Sequence, residues 1–421
     1  MKKIALMASA VILAAACQKT EINKIETTPE DNSNEPVPVL FGLGQPDYDV
    51  AVKSAGSLEK WGTNDLYVFG YNTQATEYEE NSVLDGSSEA STLIYNIKAT
   101  TSSAGSSPTQ TLTVTNPDTN EPFYYSGNNT YDFYGYYTDD AAATVEGTTW
   151  TPVEEATDPT PLVITTETAA TPVSGVTLKK GVYIPFIIDG TQDLMTADKA
   201  IDEATETTPG EVDAADCYSA YAARRGVQPN LQFKHLLTRF TFEIKPGSDE
   251  SKKVEVTGIK IKANSKGFLG VVGEDKGTIT ELPVEETNNP LVEFTLMERA
   301  ADSETCTALQ PVSLTDLTVG DDEDGAKAGE SIMVIPGETS YEVIISTKMN
   351  DDSGITAPIA DLTKELTLTD DAPFAAGTSY NVVVTVYSLE EVEVKATLAA
   401  WVDGEEINIG QDGDEKPSAQ N

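Results

Sequence analysis

Apolar residues recur at every second position over much of this chain, a spacing that puts one face of an extended strand inside and the other outside. Val37, Val39, Phe41 and Leu43 alternate, and Tyr48, Val50 and Val52 alternate again beyond a Gly-Gln-Pro break. Residues 66–71, 92–99 and 110–115 predict further strands, the last two separated by a Ser/Gly/Thr-rich loop at 100–108. Pro122-Phe123-Tyr124-Tyr125 leads through Ser126-Gly127-Asn128-Asn129 into residues 131–137, which predicts a hairpin. Residues 162–164 carry short strand character. Residues 182–188 predict a strand that Pro185 places at a sheet edge. Residues 193–200 read as the start of a short helix.

Farther on, Leu231, Phe233 and Leu237 occupy odd positions, whereas Phe240, Phe242 and Ile244 occupy even ones. The change of face predicts a bulge near 236–239, and a similar slip falls across Thr257-Gly258. Strands are expected at 278–282, 291–297, 331–335, 341–347, 363–369 and 379–387. Because 380–387 is apolar on both faces, it is expected at a sheet centre, covered on both sides. Val392, Val394, Ala396 and Leu398 alternate with Glu391, Glu393, Lys395 and Thr397, a half-buried strand ending near Trp401. Residues 411–421 are too polar to pack. An acidic, Thr/Ala-rich insert at 202–216 sets a boundary near 229. The pattern predicts an all-β protein with two antiparallel β-sandwich domains in series, at 54–228 and 229–421, and almost no helix.

The first residues follow another rule. Lys2 and Lys3 precede an apolar, small-residue run at 4–16, as long as a signal-peptide core and too short to span a bilayer. It closes on Leu13-Ala14-Ala15-Ala16-Cys17, which looks like a bacterial lipobox: residues 1–16 would be removed and Cys17 acylated. Residues 18–38 form a polar, proline-broken tether. The early strand then meets a lysine among small residues, Lys53-Ser54-Ala55-Gly56, a trypsin-like cleavage point that would make 17–53 a lipidated tether with a removable strand.

At 421 residues and a formal net charge of −42, the chain is not a nucleic-acid or anionic-lipid binder. Cys217 and Cys306 are the cysteines besides Cys17, and an exported protein allows a bridge between them. The single histidine, His235, sits among Phe233 and Leu237 and reads as a packing residue, with no second histidine to complete a zinc or triad set. Asp321-Asp322-Glu323-Asp324-Gly325 lacks the ligand spacing and helices of an EF-hand and reads as a solvated loop, with weak calcium binding as the alternative. The tyrosines at 124–137 would suit either strand packing or a sugar-stacking surface. No residue group calls for a catalytic, metal or cofactor role. Arg224-Arg225-Gly226 is a second protease-sensitive candidate, taken as an exposed loop.

Together these residues resemble the fimbrillin-like proteins of Bacteroidetes, the subunits of type V pili. The likeness rests on the lipobox at Cys17 and on Val52-Lys53-Ser54-Ala55-Gly56. It rests also on Asp193-Leu194-Met195-Thr196-Ala197, on Phe233-Lys234-His235-Leu236-Leu237-Thr238-Arg239-Phe240, and on Tyr380-Asn381-Val382-Val383-Val384 with Ala399-Ala400-Trp401. The resemblance implies two transthyretin-like sandwiches and a structural role, stalk or tip, in cell adhesion. It implies an outer-membrane lipoprotein precursor cut at Lys53–Ser54 and a surface fimbrium built by strand exchange. The donor strand would lie within 388–410. Partners implied are other fimbrial subunits and the outer membrane, with a host glycan or protein as a further candidate. A basal anchor subunit and a non-polymerising, glycan-binding lipoprotein are the alternatives.

Overall fold

The computed structural model describes residues 36–44, 65–72, 92–101, 109–126, 129–154, 157–164, 175–199, 218–224, 228–285, 289–299, 306–320, 325–349, 360–368 and 371–399. Residues 37–421 cluster as one compact unit; of residues 1–36, only Pro36 is described. The strands are β1 (Phe41–Gly44), β2 (Leu66–Asn72), β3 (Thr92–Thr101), β4 (Thr109–Thr113), β5 (Tyr131–Tyr137), β6 (Ala143–Glu146), β7 (Thr149–Pro152) and β8 (Leu162–Ile164). Then come β9 (Gly181–Ile187), β10 (Met195–Lys199), β11 (Asn230–Leu231), β12 (Lys234–His235), β13 (Thr238–Pro246), β14 (Val254–Ala263), β15 (Lys266–Gly273), β16 (Ile279–Glu281) and β17 (Val292–Thr295). The last are β18 (Met297–Arg299), β19 (Cys306–Ala308), β20 (Val312–Ser313), β21 (Ala326–Val334), β22 (Ser340–Met349), β23 (Ala360–Thr367), β24 (Ser379–Ser388) and β25 (Glu391–Ala399). Among the described residues a short α-helix, α1 (Ala220–Ala223), starts where the Ser219 hydroxyl caps the Ala222 amide, and a 3-10 turn covers Ser251–Lys253.

These strands form several mostly antiparallel sheets. The first runs β11-β1-β4-β3-β2-β5-β10-β12, so one short stretch, residues 230–235, supplies both of its ends. The second is β16-β15-β9-β8, the third β21-β13-β24-β25, and the fourth β17-β14-β22-β23. Among the described residues two pairs, β1–β11 and β13–β24, are parallel. The main core joins Phe240, Phe242 and Ile244 of β13 to Val382, Val384 and Val386 of β24, and to Ile259, Ile261, Val343 and Ile345 of the fourth sheet. It continues into Phe69, Tyr136, Ile184 and Phe186, taking side chains from both sides of residue 229. A second core lies against the first sheet and includes Phe41, Val68, Ile94, Leu112, Phe133, Leu231 and Phe233.

The period-two pattern gives the strands, and four local expectations change. Residues 195–199 are the strand β10, not a helix, laddered to β5 from Met195 opposite Tyr137 to Lys199 opposite Phe133. Burial of Leu194, Met195 and Ala197 in sheet contacts overrides their helical propensity. Residues 122–125 make no hairpin with β5: Pro122 bridges Thr115 and Tyr124 bridges Pro38, while β5 pairs with β2 and β10. The change of face near 236–239 is a passage from β12 of the first sheet to β13 of the third, and the nearest register shift lies at Phe240/Phe242. Pro185 lies in an inner strand, β9, but β8 covers only residues 181–183 of it. The missing donor therefore falls beyond the end of that ladder. The slip at Thr257-Gly258 is a true bulge, between Val256 and Gly258. The strand over 379–388 is inner as expected, flanked by β13 and β25, with its even face buried and its odd face half-buried.

Candidate functional site

The first strand fills a slot in the first sheet. Antiparallel pairing sets Phe41 opposite Leu112 and Gly44 opposite Thr109 on β4. On the other edge, parallel pairing sets Gly42 opposite Asn230 and Leu43 opposite Leu231 on β11. The Gly42 amide donates to the Pro229 carbonyl at 2.9 Å, and the Leu40 amide to Gln228 Oε1 at 3.3 Å. Upstream, the Val39 amide donates to the Phe123 carbonyl at 2.8 Å, and the Tyr125 amide to the Val37 carbonyl at 3.0 Å. The run 37–44 is thus held along both edges. A Cβ on Gly42 would come within 2.9 Å of Asn230 Oδ1, so the lack of a side chain permits this parallel approach.

Side chains alternate as the sequence predicts. Val39 and Phe41 are each 3% exposed, whereas Leu40 between them is 53% exposed. Phe41 meets Phe133 edge to face, with centroids 5.0 Å apart and planes at 88°. Burying one valine and one phenylalanine contributes roughly 3–6 kcal/mol. A chain lacking 37–44 would leave β4 and β11 with unpaired backbone groups beside an apolar trough floored by Phe133, Leu112 and Leu231. Such a trough can accept another strand of the same alternation, with apolar side chains at every second position. The floor and the partner strands were not legible in the sequence, because they come from positions 70 to 190 residues away.

The other candidates have different surroundings. Cys17, Lys53, Ser54, Cys217, Arg225, Trp401 and Asp321 to Asp324 lie outside the described residues, and Arg224 is exposed just past α1. Cys306 is a free, half-buried thiol on β19. Among the tyrosines at 124–137, Tyr124 is exposed, while Tyr125, Tyr131, Tyr134, Tyr136 and Tyr137 are buried. They pack the sheet and leave no broad sugar-stacking surface. His235 is buried, as expected for a packing residue, and its Nδ1 lies 2.7 Å from Asp193 Oδ2.

That pair adjoins a polar crevice of about 200 Å³, lined in part by Asp65, Tyr67, Tyr137, Asp139, Asp140 and Glu154. The Tyr137 hydroxyl donates to Asp139 Oδ1 at 2.7 Å, and the Asp193 amide to its Oδ2 at 3.3 Å. Burial, reinforced by the neighbouring Asp193 charge, pushes the Asp139 carboxyl up to about 6. Burial also raises the Tyr137 phenol well above its ordinary range. Among the described residues, no group of three or more His, Cys, Asp or Glu side chains is placed to hold a metal ion. Among the same residues, no helix is long and apolar enough to cross a membrane.

Known proteins offer a comparison. The sequence profile of the fimbrillin-like family matches residues 183–401. No curated protein matches the chain. Among solved structures, a proposed cell adhesion protein from Bacteroides uniformis aligns over 89% of this chain and 99% of its own, with 14% identity and a TM-score of 0.45. Another from Bacteroides ovatus covers 88% and 100%, with 13% identity and a TM-score of 0.46. The fimbrial anchor protein Mfa2 from Porphyromonas gingivalis covers 85% and 97%, with 10% identity and a TM-score of 0.28.

Proposed function

The chain belongs to the fimbrillin-like family, and from that premise we propose that it is a structural subunit, stalk or tip, of a type V fimbria serving cell adhesion. In this reading the precursor is exported as a lipoprotein acylated at Cys17 and reaches the cell surface through the outer membrane. A trypsin-like protease then cuts between Lys53 and Ser54, and the first strand leaves its slot. A strand from residues 388–410 of another subunit takes its place. Within that range 391–399 are laddered to β24 as β25, so donating them requires leaving this ladder. The half at 54–228 would provide β4 on one edge of the slot and the half at 229–421 would provide β11 on the other, with the donor also drawn from 229–421.

The observation that carries the reading is the position of β1. It lies upstream of the cleavable lysine, inside the sheet rather than at its rim, with both edges paired and two side chains buried. Its loss creates a defect that another strand of like pattern repairs. The test is the N-terminal sequence of protein sheared from the surface of cells that produce it. A start at Ser54 supports the reading. A blocked, lipidated start at Cys17 with no shorter form overturns the cleavage step, and with it the stalk assignment.

A further inference from the structure

A cavity of about 540 Å³ lies at one end of the fourth sheet, and its volume is that of a small-ligand cleft. It shares no lining residue with the slot of β1. Strands β14, β22 and β23 supply part of its wall, and the segments after β16 and before β17 supply another part. Two aliphatic side chains in that wall, Val284 and Leu291, are each 49% exposed. They are held in place by their surroundings. Asn289 Nδ2 donates to Asn264 Oδ1 at 3.0 Å, and both buried amides donate to the Leu282 carbonyl, at 2.6 Å from Asn264 and 3.1 Å from Asn289. Glu285 and Asn289 exchange two backbone hydrogen bonds of 3.0 Å. These bonds fix the chain beside Val284 and Leu291, so an occupant meets apolar contacts that are already ordered.

Charge decides the kind of occupant. The described lining holds four carboxylates, Glu281, Glu338, Glu342 and Glu365, against two ammonium groups, Lys262 and Lys364. Lys262 pairs with Glu342. Glu342 also stands directly opposite Glu365 on the β22–β23 ladder, a like-charge pairing that costs the sheet stability. Partial burial raises the Glu281 carboxyl above its ordinary range, against a hydrogen bond from Asn264, and the Glu338 charge raises it further. Carboxylates that crowd one another beside aliphatic carbons fit a cationic head on an apolar stem, the make-up of lysine and arginine side chains. The charged positions come from four strands and the segments between them, so a peptide with more than one such side chain engages them better than one small amine. A second copy of this chain is a poor match, since it brings 69 acidic against 27 basic residues.

We propose that this cavity binds a basic peptide segment of a partner protein, with cationic heads at Glu281, Glu338 and Glu365 and aliphatic neighbours against Val284 and Leu291. The site is independent of strand exchange at the first sheet.

Fluorescence anisotropy of a dye-labelled, capped Leu-Arg-Leu-Arg-Leu peptide, titrated with the full chain at about 0.15 M salt, tests it. Glu281→Gln with Glu338→Gln should weaken binding about tenfold or more. Glu121→Gln with Glu146→Gln removes the same charge outside the cavity and should leave binding unchanged. Val284→Ser with Leu291→Ser, neutral in charge, should weaken it about fivefold. All six side chains are exposed, so their replacement leaves the cores intact. No binding by the unsubstituted chain overturns the proposal. Equal weakening by the two glutamine pairs marks general attraction to an acidic surface and overturns it, as does indifference to the serine pair. Displacement of the peptide by an equal concentration of hexamethylenediamine assigns the cavity to a small amine and overturns the peptide assignment.

Discussion

Phe41 and Leu40 are neighbours in one strand with opposite surroundings, and substitution should separate them. Phe41→Ala removes a ring packed against Phe133 and should cost about 3–5 kcal/mol. Leu40→Ala, at a position half open to water, should stay within about 0.5 kcal/mol. Urea midpoints measured on the uncleaved chain decide this, and equal effects would mean that the strand is not held by its buried face. Asp139 allows a pH test. Its folded carboxyl protonates at about 6, above the ordinary 3.8. Between those values the folded form binds more protons than the unfolded form, so the stability linked to this group is full below about 4 and lost as pH rises through about 6. Asp139→Asn should remove that slope, worth at most about 3 kcal/mol. A stability profile over this range that is identical in the two proteins would count against a raised carboxyl.

The strand β1 as an element should behave as a replaceable part. A chain beginning at Ser54 should melt at lower temperature than the uncleaved protein and bind an apolar dye, since the trough beneath β1 is open. A synthetic peptide of residues 36–44 should restore the lost stability, and the same peptide with Phe41→Glu should not. Rescue by both peptides, or by neither, would remove the slot from the argument. The same physics decides how far this element was legible. The alternation of Val37, Val39, Phe41 and Leu43 is local, so the strand and its buried side could be read directly. Its neighbours could not, because pairing with residues 109–112 and 230–231 is decided by the whole fold. Residues 122–125 illustrate the limit: their turn residues suggest a hairpin with β5, and they pair instead with residues 37–39, just ahead of β1, and with Thr115. Residues 193–199 show another. Good helix formers became β10 because the first sheet offered both flanks a partner and buried Leu194 and Met195.

For the molecule as a whole, charge opposes the strand exchange proposed above. The chain has 69 acidic and 27 basic residues, a net −42, so two copies repel at long range, whereas in the proposed assembly a donor strand and an open trough would attract at contact. Screening acts on the first of these and hardly on the second. The Debye length falls from about 30 Å at 0.01 M salt to about 8 Å at 0.15 M, which removes most repulsion between copies approaching end to end. Protein cut at Lys53 should therefore form denaturant-resistant ladders several-fold faster at the higher salt, with chain length set by subunit concentration. Excess peptide of residues 36–44 should stop growth at either salt, because it occupies the slot whatever the repulsion. Ladders that ignore the peptide but respond to salt would mark association through another surface. Ladders blocked by the peptide yet indifferent to salt would place the barrier to assembly in opening the slot, not in bringing two acidic subunits together.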